Sequence, residues 1–396
     1  MNIQFSPPDI TEKEIEEVVD ALKSGWITTG PKTKQFEKEI ASYLSTNKAV
    51  ALNSATAAME MSLRYLGVGP GDEVITTPYT YTASASVINH VGAKIKMVDI
   101  TKDGFEMDYD RLESVINSNT KAIIPVDIGG VPCDYEKILE IVESKKSIFK
   151  SSNEIQDRIS RICILSDSAH SFGAKYKGKD VGQWADISCY SFHAVKNLTT
   201  AEGGAVTWRE DLFDDEKAYN EFQLLSLHGQ NKDALAKMQL GAWEYDIIAP
   251  NYKCNMTDIM SALGLAQLRR YPGLLARRKE IIEKYNSEFE NTCIEPMVHF
   301  TDDKISTGHL YIVNLRNYAE KERNEVIVEM AERGISTNVH YKPLPMHTAY
   351  KNLGFSIRDY PNAYNRYKNV MTLPLHTLLS DMDVNFVAKS LKDIVS

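Results

Sequence analysis

The 396-residue chain reads as an α/β protein, with a large domain built on a mostly parallel central sheet and a smaller C-terminal α+β domain. Three observations predict this. From about residue 48, short Val- and Ile-rich runs alternate with stretches of helical spacing, which is the signature of βαβ units. From Met256 a single long helical pattern leads away from that alternation into a region of mixed character. The length suits one large domain with a smaller one attached.

The elements follow in order. KAVALN, EVITT, KIKMVDI, KAIIPVDI and RICILSD are short, apolar and bounded by turn residues, so each is expected to be a strand buried on both faces. ATAAMEMSLRYLG, ASASVINHVGA, DYDRLESVINSN and DYEKILEIVESK place apolar residues at helical spacing between them. VGPGDEV supplies a Gly/Pro turn. The polar, weakly periodic stretch 143–160 reads as a solvated surface insertion. The pattern from Met256 continues to about Glu290, with YPG in its middle marking a kink or break. Residues 1–270, with an N-terminal arm, are expected to form the large domain and 271–396 the small one.

The composition is 43% hydrophobic and 25% charged, enough for a sizeable core, and the formal net charge is −9. That balance argues against a general nucleic-acid binder, which needs a basic face. The five cysteines are scattered without a CxxC pair, so neither a metal site nor a disulfide framework is expected. MNIQFSPPDI has no cationic start leading into an apolar run, and no stretch is long enough to span a bilayer. A cytoplasmic protein without a membrane partner is expected.

The chemistry centres on SFHAVKNLTTAEGG, where Lys196 sits just past an apparent strand and ahead of a glycine pair. A lysine forms a Schiff base only when it is unprotonated and held in place, which calls for desolvation or a neighbouring cation. In RICILSDSAHSFGA a strand ends at Asp167 and His170 follows. Ligands of open parallel sheets sit at the carboxyl ends of strands, where Asp167 suits the ring nitrogen of pyridoxal 5'-phosphate. Helix capping is the plainer role for Asp167, as a structural imidazole is for His170. Ser54 and Thr56 open a helix straight after a strand, either as an anion site or as ordinary caps, and Ser191 offers a further hydroxyl. Tyr81 stands at a strand-to-helix junction, suited to stacking on a pyridine ring or to the core. Taken together, phosphate turn, stacking aromatic, strand-end Asp and then Lys specify a fold-type I pyridoxal-phosphate site.

The sequence resembles the DegT/StrS-type sugar-nucleotide aminotransferases. The resemblance is carried by SGWITTGP (24–31), NSATAAM (53–59), GDEVIT (71–76), KAIIPVD (121–127), SDSAHSFGA (166–174), SFHAVKNLTTAEGG (191–204), NYKCNMTDIMSALGLAQL (251–268) and VHYKPLP (339–345). It implies Lys196 as the Schiff-base lysine, Asp167 at the pyridine nitrogen and His170 near the ring. It further implies Tyr81 as the stacking aromatic and Ser54, Ala55, Thr56 and Ser191 at the phosphate. The family completes the phosphate site from a neighbouring subunit through a motif like GYNYR. Here it reads NYKCN, with Lys253 in the place of the usual Asn, and a homodimer with shared sites is implied. SGWITTGP and SFHAVKN look most like the branch that aminates carbon 4 of UDP-linked keto-sugars, with Trp26, Thr28 and Thr29 lining the sugar end. His193, His340 and Tyr341 are substrate-site candidates, with His228 and Lys342 behind them. The implied reaction is a ping-pong transfer from L-glutamate to a nucleotide-linked 4-keto-sugar, Lys196 acting as the general base. A 3-keto-sugar aminotransferase is the neighbouring alternative, and a non-catalytic sensor or scaffold the distant one. Related dehydratases carry His at the lysine position, so Lys196 favours transamination.

Overall fold

A computed structural model describes residues 2–231 and 244–395. In chain order its strands are β1 (Ala49–Leu52), β2 (Glu73–Thr76), β3 (Lys94–Met97), β4 (Thr120–Ile123), β5 (Cys163–Asp167), a small hairpin β6 (Lys175–Tyr176) and β7 (Lys179–Asp180), then β8 (Ile187–Ser191) and β9 (Gly204–Trp208). Seven of them form the central sheet in the order β1-β9-β8-β5-β4-β2-β3. Only β9 opposes its neighbours, pairing antiparallel with both β1 and β8. The remaining pairs are parallel. All residues of β1, β2, β4 and β5 are buried, as near-continuous apolar runs require. β3 departs from that expectation: it is the sheet edge, and Lys94 and Lys96 reach out to pair with Glu73 at 3.1 and 3.0 Å.

The helices expected between these strands are Ala55–Tyr65, Ala83–His90, Tyr109–Val115 and Tyr135–Ser144. The stretch 143–160 is more than a solvated excursion. It carries the helix Glu154–Ile159, capped by Asn153. Asn153 and the buried Gln156 both donate to the Leu66 carbonyl, at 3.0 and 2.8 Å. Most of the stretch is exposed, as its polar composition predicts, and only Gln156 and Ile159 are buried.

The C-terminal layer is an antiparallel sheet β10 (Ile294–Pro296), β12 (Tyr311–Leu315) and β13 (Val370–Leu373), with β11 (Lys304–Ile305) between them in sequence pairing instead with β6. The helices Glu320–Glu332 and Asp381–Val395 cover it. One 32-residue helix, Asp258–Phe289, serves both cores. Leu265, Leu268 and Tyr271 pack with Phe36, Phe172 and Phe192, whereas Ile281, Ile282, Tyr285 and Phe289 pack with Tyr311, Val313 and Leu373. The helix continues through Pro272, so of the kink or break expected at YPG the break is absent. A mid-helix proline costs about 3 kcal/mol, and burial of the apolar faces on both sides of it outweighs that.

The N-terminus is part of the C-terminal layer. Ile3 bridges Ile335 and is buried there. The chain then returns along the helix Glu12–Ser24, which is pinned to the long helix by Arg270 to Asp9 and Glu14 at 2.8 and 2.7 Å. Among the described residues no helix is long and apolar enough to cross a membrane.

Candidate active site

β8 and β9 are antiparallel, so the segment joining them turns back at the carboxyl edge of the sheet, and Lys196 lies on that return. Its position is fixed by the next residue: Asn197 donates to the Thr307 carbonyl at 2.9 Å and meets His309 Nδ1 at 2.9 Å. Lys196 opens onto a cavity of about 370 Å³. Burial lowers its ammonium pKa to about 8 despite the opposing charge of Asp167. Among the described residues, no hydrogen bond or ion pair is made by its Nζ. That is the free, partly deprotonated amine an imine-forming lysine needs.

Asp167 ends β5 on the same cavity. Its Oδ2 accepts from Ser84 Oγ at 2.6 Å and its Oδ1 from the Ala169 amide at 3.2 Å. Thr80 lies 2.8 Å from Ser84, so its hydroxyl backs the one that Asp167 receives. Burial raises the Asp167 pKa, and the Ser84 and Ala169 bonds and Lys196 act against it. A carboxylate held this way has unused lone pairs for a cationic N–H. Ser84 and Thr80 carried no signal in the sequence, because only the packing of the helix Ala83–His90 on the sheet brings them to Asp167.

An anion cradle lies beside it. Ser54 caps the helix Ala55–Tyr65 by accepting from the Ala57 amide at 3.0 Å. The amides of Ala55 and Thr56 have no helical partner, and both residues line the cavity with Ser191. Gly204 lets β9 pass directly beneath: a Cβ there would lie 2.4 Å from the Ser54 carbonyl carbon. The residues present therefore fit a group with an aldehyde for the amine, a ring nitrogen for the carboxylate and a phosphate for the helix start.

The C-terminal layer closes the cavity with His340 and Tyr341. His170 Nδ1 accepts from the Gly129 amide at 3.2 Å, and its Nε2 lies 3.2 Å from the Tyr341 hydroxyl. Burial, with Lys196 and His340 nearby, holds the His170 pKa well below the usual imidazole range. His340 is likewise pushed down by burial, to about 3, and contacts Thr372 Oγ1 at 2.9 Å. Tyr81 also lines the cavity, 63% exposed, with its ring 6.3 Å from that of Tyr341. His193 lines the mouth 3.6 Å from Glu202.

Six of the expected residues, Trp26, Thr28, Thr29, His228, Lys253 and Lys342, lie outside this cavity. Trp26 Nε1 donates to the Thr29 carbonyl at 3.1 Å, and Thr29 Oγ1 donates to the Met256 carbonyl at 2.5 Å. Thr28 accepts from the Asp258 amide at 3.0 Å. Asp258 in turn takes the Gly30, Lys32 and Thr33 amides at 2.8, 3.0 and 2.9 Å, so within one chain SGWITTGP fastens the N-terminal segment to the start of the long helix. Lys253 contacts Asn255. His228 is also away from the cavity, exposed beyond the helix Asp215–Ser226.

A seven-stranded sheet with one reversed strand, and at its carboxyl edge an unbonded lysine, a buried Asp and a capped helix start, define the class as a fold-type I, pyridoxal-phosphate-dependent aminotransferase. The chain belongs to the DegT/DnrJ/EryC1/StrS aminotransferase family, whose sequence pattern matches residues 8–392. It is 38% identical to the Bacillus subtilis spore coat polysaccharide biosynthesis protein SpsC, covering 99% of this chain and 97% of that one. Among solved structures it resembles the PMP form of Spr1654 from Streptococcus pneumoniae, described as a sugar aminotransferase, at 58% identity and a TM-score of 0.97, over 100% of this chain and 99% of that one. Helicobacter pylori PseC, described as an aminotransferase of pseudoaminic acid biosynthesis, matches at 28% identity with a TM-score of 0.87, over 100% and 99% of the two chains.

Proposed function

We propose that this enzyme moves the amino group of L-glutamate to carbon 4 of a nucleotide-linked keto-sugar, supplying amino-sugars for a surface polysaccharide or glycan. The observation that carries the transfer chemistry is the unbonded Lys196 amine facing a buried carboxylate in one cavity. The sugar assignment is supported by SpsC and PseC, and carbon 4 by the likeness of SGWITTGP and SFHAVKN to the carbon-4 branch. When bound, pyridoxal phosphate supplies an aldehyde that takes up the amino group and a protonated ring that draws electron density from the reacting carbon.

The protein's own groups do the rest. Lys196 is the covalent anchor and, once released, the base that moves the proton at the reacting carbon, for which a pKa near the working pH is suited. Asp167, oriented by Ser84, would hold the ring nitrogen in its protonated form. Ser54, Ala55, Thr56 and Ser191 would hold the phosphate, and Tyr81 and His170 would bound the ring. His193, His340 and Tyr341 face the substrate. The working unit is a cytoplasmic homodimer in which Lys253 of one copy reaches the phosphate of the other, and Trp26, Thr28 and Thr29 border the neighbour's sugar end. The two domains divide within the long helix, near residue 270, with the first residues of the chain joining the smaller one.

The test is a spectroscopic titration of the cofactor-loaded enzyme. Excess L-glutamate should bleach the cofactor's visible absorbance. After its removal, one member of a panel of UDP- and dTDP-linked 3-keto and 4-keto sugars should restore it. Restoration by 3-keto sugars alone would overturn the carbon-4 assignment, and loss of no absorbance with glutamate would overturn the donor.

A further inference from the structure

Neither the relatives nor the fold assigns a direction to the hydrogen bond between His170 and Tyr341, yet the structure sets it. The Gly129 amide lies 3.2 Å from His170 Nδ1 and donates to it, so that nitrogen carries no proton. A neutral imidazole holds one proton, which is then on Nε2. Nε2 is 3.2 Å from the Tyr341 hydroxyl, so His170 donates and the tyrosine oxygen accepts. Gly129 is itself locked: its φ is +65°, and its carbonyl takes the His309 amide at 2.9 Å. The tyrosine's own proton is therefore turned away from His170. Tyr341 lines the cavity that also holds Lys196 and Asp167. We propose that Tyr341 is a directed hydrogen-bond donor in that cavity, and that it polarises the carbonyl oxygen of the ketone brought to Lys196, with His170 as its positioning residue.

This rests on the reading of the cavity as an aminotransferase site for ketones. Burial, with Asp167 and Tyr81 adding to it, holds the Tyr341 phenol well above its ordinary range, so it keeps its proton throughout the working pH range. A fixed donor of this kind acts only where charge develops on oxygen, which is the situation at a carbonyl under attack by an amine. Both ketones of a ping-pong cycle, the 2-oxo acid and the keto-sugar, present such an oxygen at the same carbon, so one donor serves both.

The decisive variants are Tyr341→Phe, His170→Leu and His170→Gln. Glutamine's amide can accept from Gly129 with its oxygen and donate to Tyr341 with its nitrogen, whereas leucine can do neither. In single turnovers of the aminated enzyme, Tyr341→Phe should slow the return of cofactor absorbance by about a hundredfold with 2-oxoglutarate. The keto-sugar should be slowed to the same degree, with cofactor content unchanged in both cases. His170→Leu should lose most of that factor and add little on top of Tyr341→Phe, and His170→Gln should restore it. Separately from activity, ¹⁵N NMR of histidine-labelled protein should show the signals missing in His170→Gln to be an unprotonated Nδ1 and a protonated Nε2.

A protonated Nδ1, or a Tyr341→Phe enzyme that keeps the wild-type rate with both ketones, overturns the proposal. So does a variant whose only change is a shifted cofactor spectrum. If wild type accepts 2-oxoglutarate but no keto-sugar, the sugar assignment alone has failed, and the 2-oxoglutarate arm still decides on Tyr341.

Discussion

Ser84→Ala tests how the electron-withdrawing end of the site is built. In the wild type the Ser84 hydroxyl donates to Asp167 Oδ2 at 2.6 Å inside the protein, and Thr80 stands 2.8 Å behind it. A hydrogen bond to a charged group is worth about 1.5–3 kcal/mol, which at 1.36 kcal/mol per unit corresponds to about one to two pKa units. Burial already pushes the Asp167 carboxyl up, and Ser84 is the leading group that opposes this. Among the described residues, removing it leaves the Ala169 amide, at 3.2 Å, as the one neutral donor. The carboxylate then becomes harder to keep ionised against the ring nitrogen. If all of the lost energy is expressed in the transition state, kcat falls about 10- to 100-fold. The assay is steady-state transamination with each substrate varied, alongside a titration of the apoenzyme with cofactor. Ser84→Thr should recover most of the loss, since it keeps the hydroxyl. If Ser84→Ala shows wild-type kcat and wild-type cofactor affinity, Asp167 does not depend on this bond and the reasoning fails.

Lys196→Ala should abolish both half-reactions while leaving the fold intact, which circular dichroism and single-turnover absorbance would establish together. The rate at which the apoenzyme captures pyridoxal phosphate should follow the neutral amine. Burial lowers the Lys196 pKa from 10.5 to about 8, so the rate should rise with pH and level off above about 8, and a rise continuing to 10 would contradict the burial argument. Gly204→Ala should cost cofactor affinity more than stability at the sheet centre, because its Cβ would meet the Ser54 carbonyl carbon at 2.4 Å and displace the helix start. Equilibrium titration with inorganic phosphate as well as cofactor would show whether the cradle is what moved.

Much of the large sheet was legible because five of its strands are short apolar runs whose neighbours have helical spacing. Lys196, Asp167, Ser54, Thr56 and Tyr81 stood out for a related reason: each stands at or shortly after the end of a strand, and a parallel sheet gathers those ends. The remainder depended on pairing across distance. Nothing local in GGAVTW says that β9 runs against its neighbours between β1 and β8, so that the whole segment carrying Lys196 stays at the carboxyl edge. Pro272 read as a break because propensity counts one residue, while the helix around it is held by two cores. Ser84, Thr80, Asn197 and His309 were invisible for the same reason: their roles lie in partners far along the chain. The stretch 143–160 is largely exposed as its composition suggests, but composition does not reveal that Asn153 and Gln156 have found the Leu66 carbonyl.

The position of Ile3 bears on how the molecule can be divided. Because the first strand-like residue pairs beside Ile335 and the chain then runs back along the long helix, the C-terminal layer is discontinuous in sequence. Its core is closed by the chain's beginning as well as by its end. A fragment cut out as 271–396 would lack the segment that pairs beside Ile335, leaving the Gly334 carbonyl and the Ser336 amide, which bond Ile3 at 2.8 and 3.0 Å, without partners. Two crossings side by side, the long helix and the N-terminal helix pinned to it, therefore join the layer that carries His340 and Tyr341 to the one that carries Lys196.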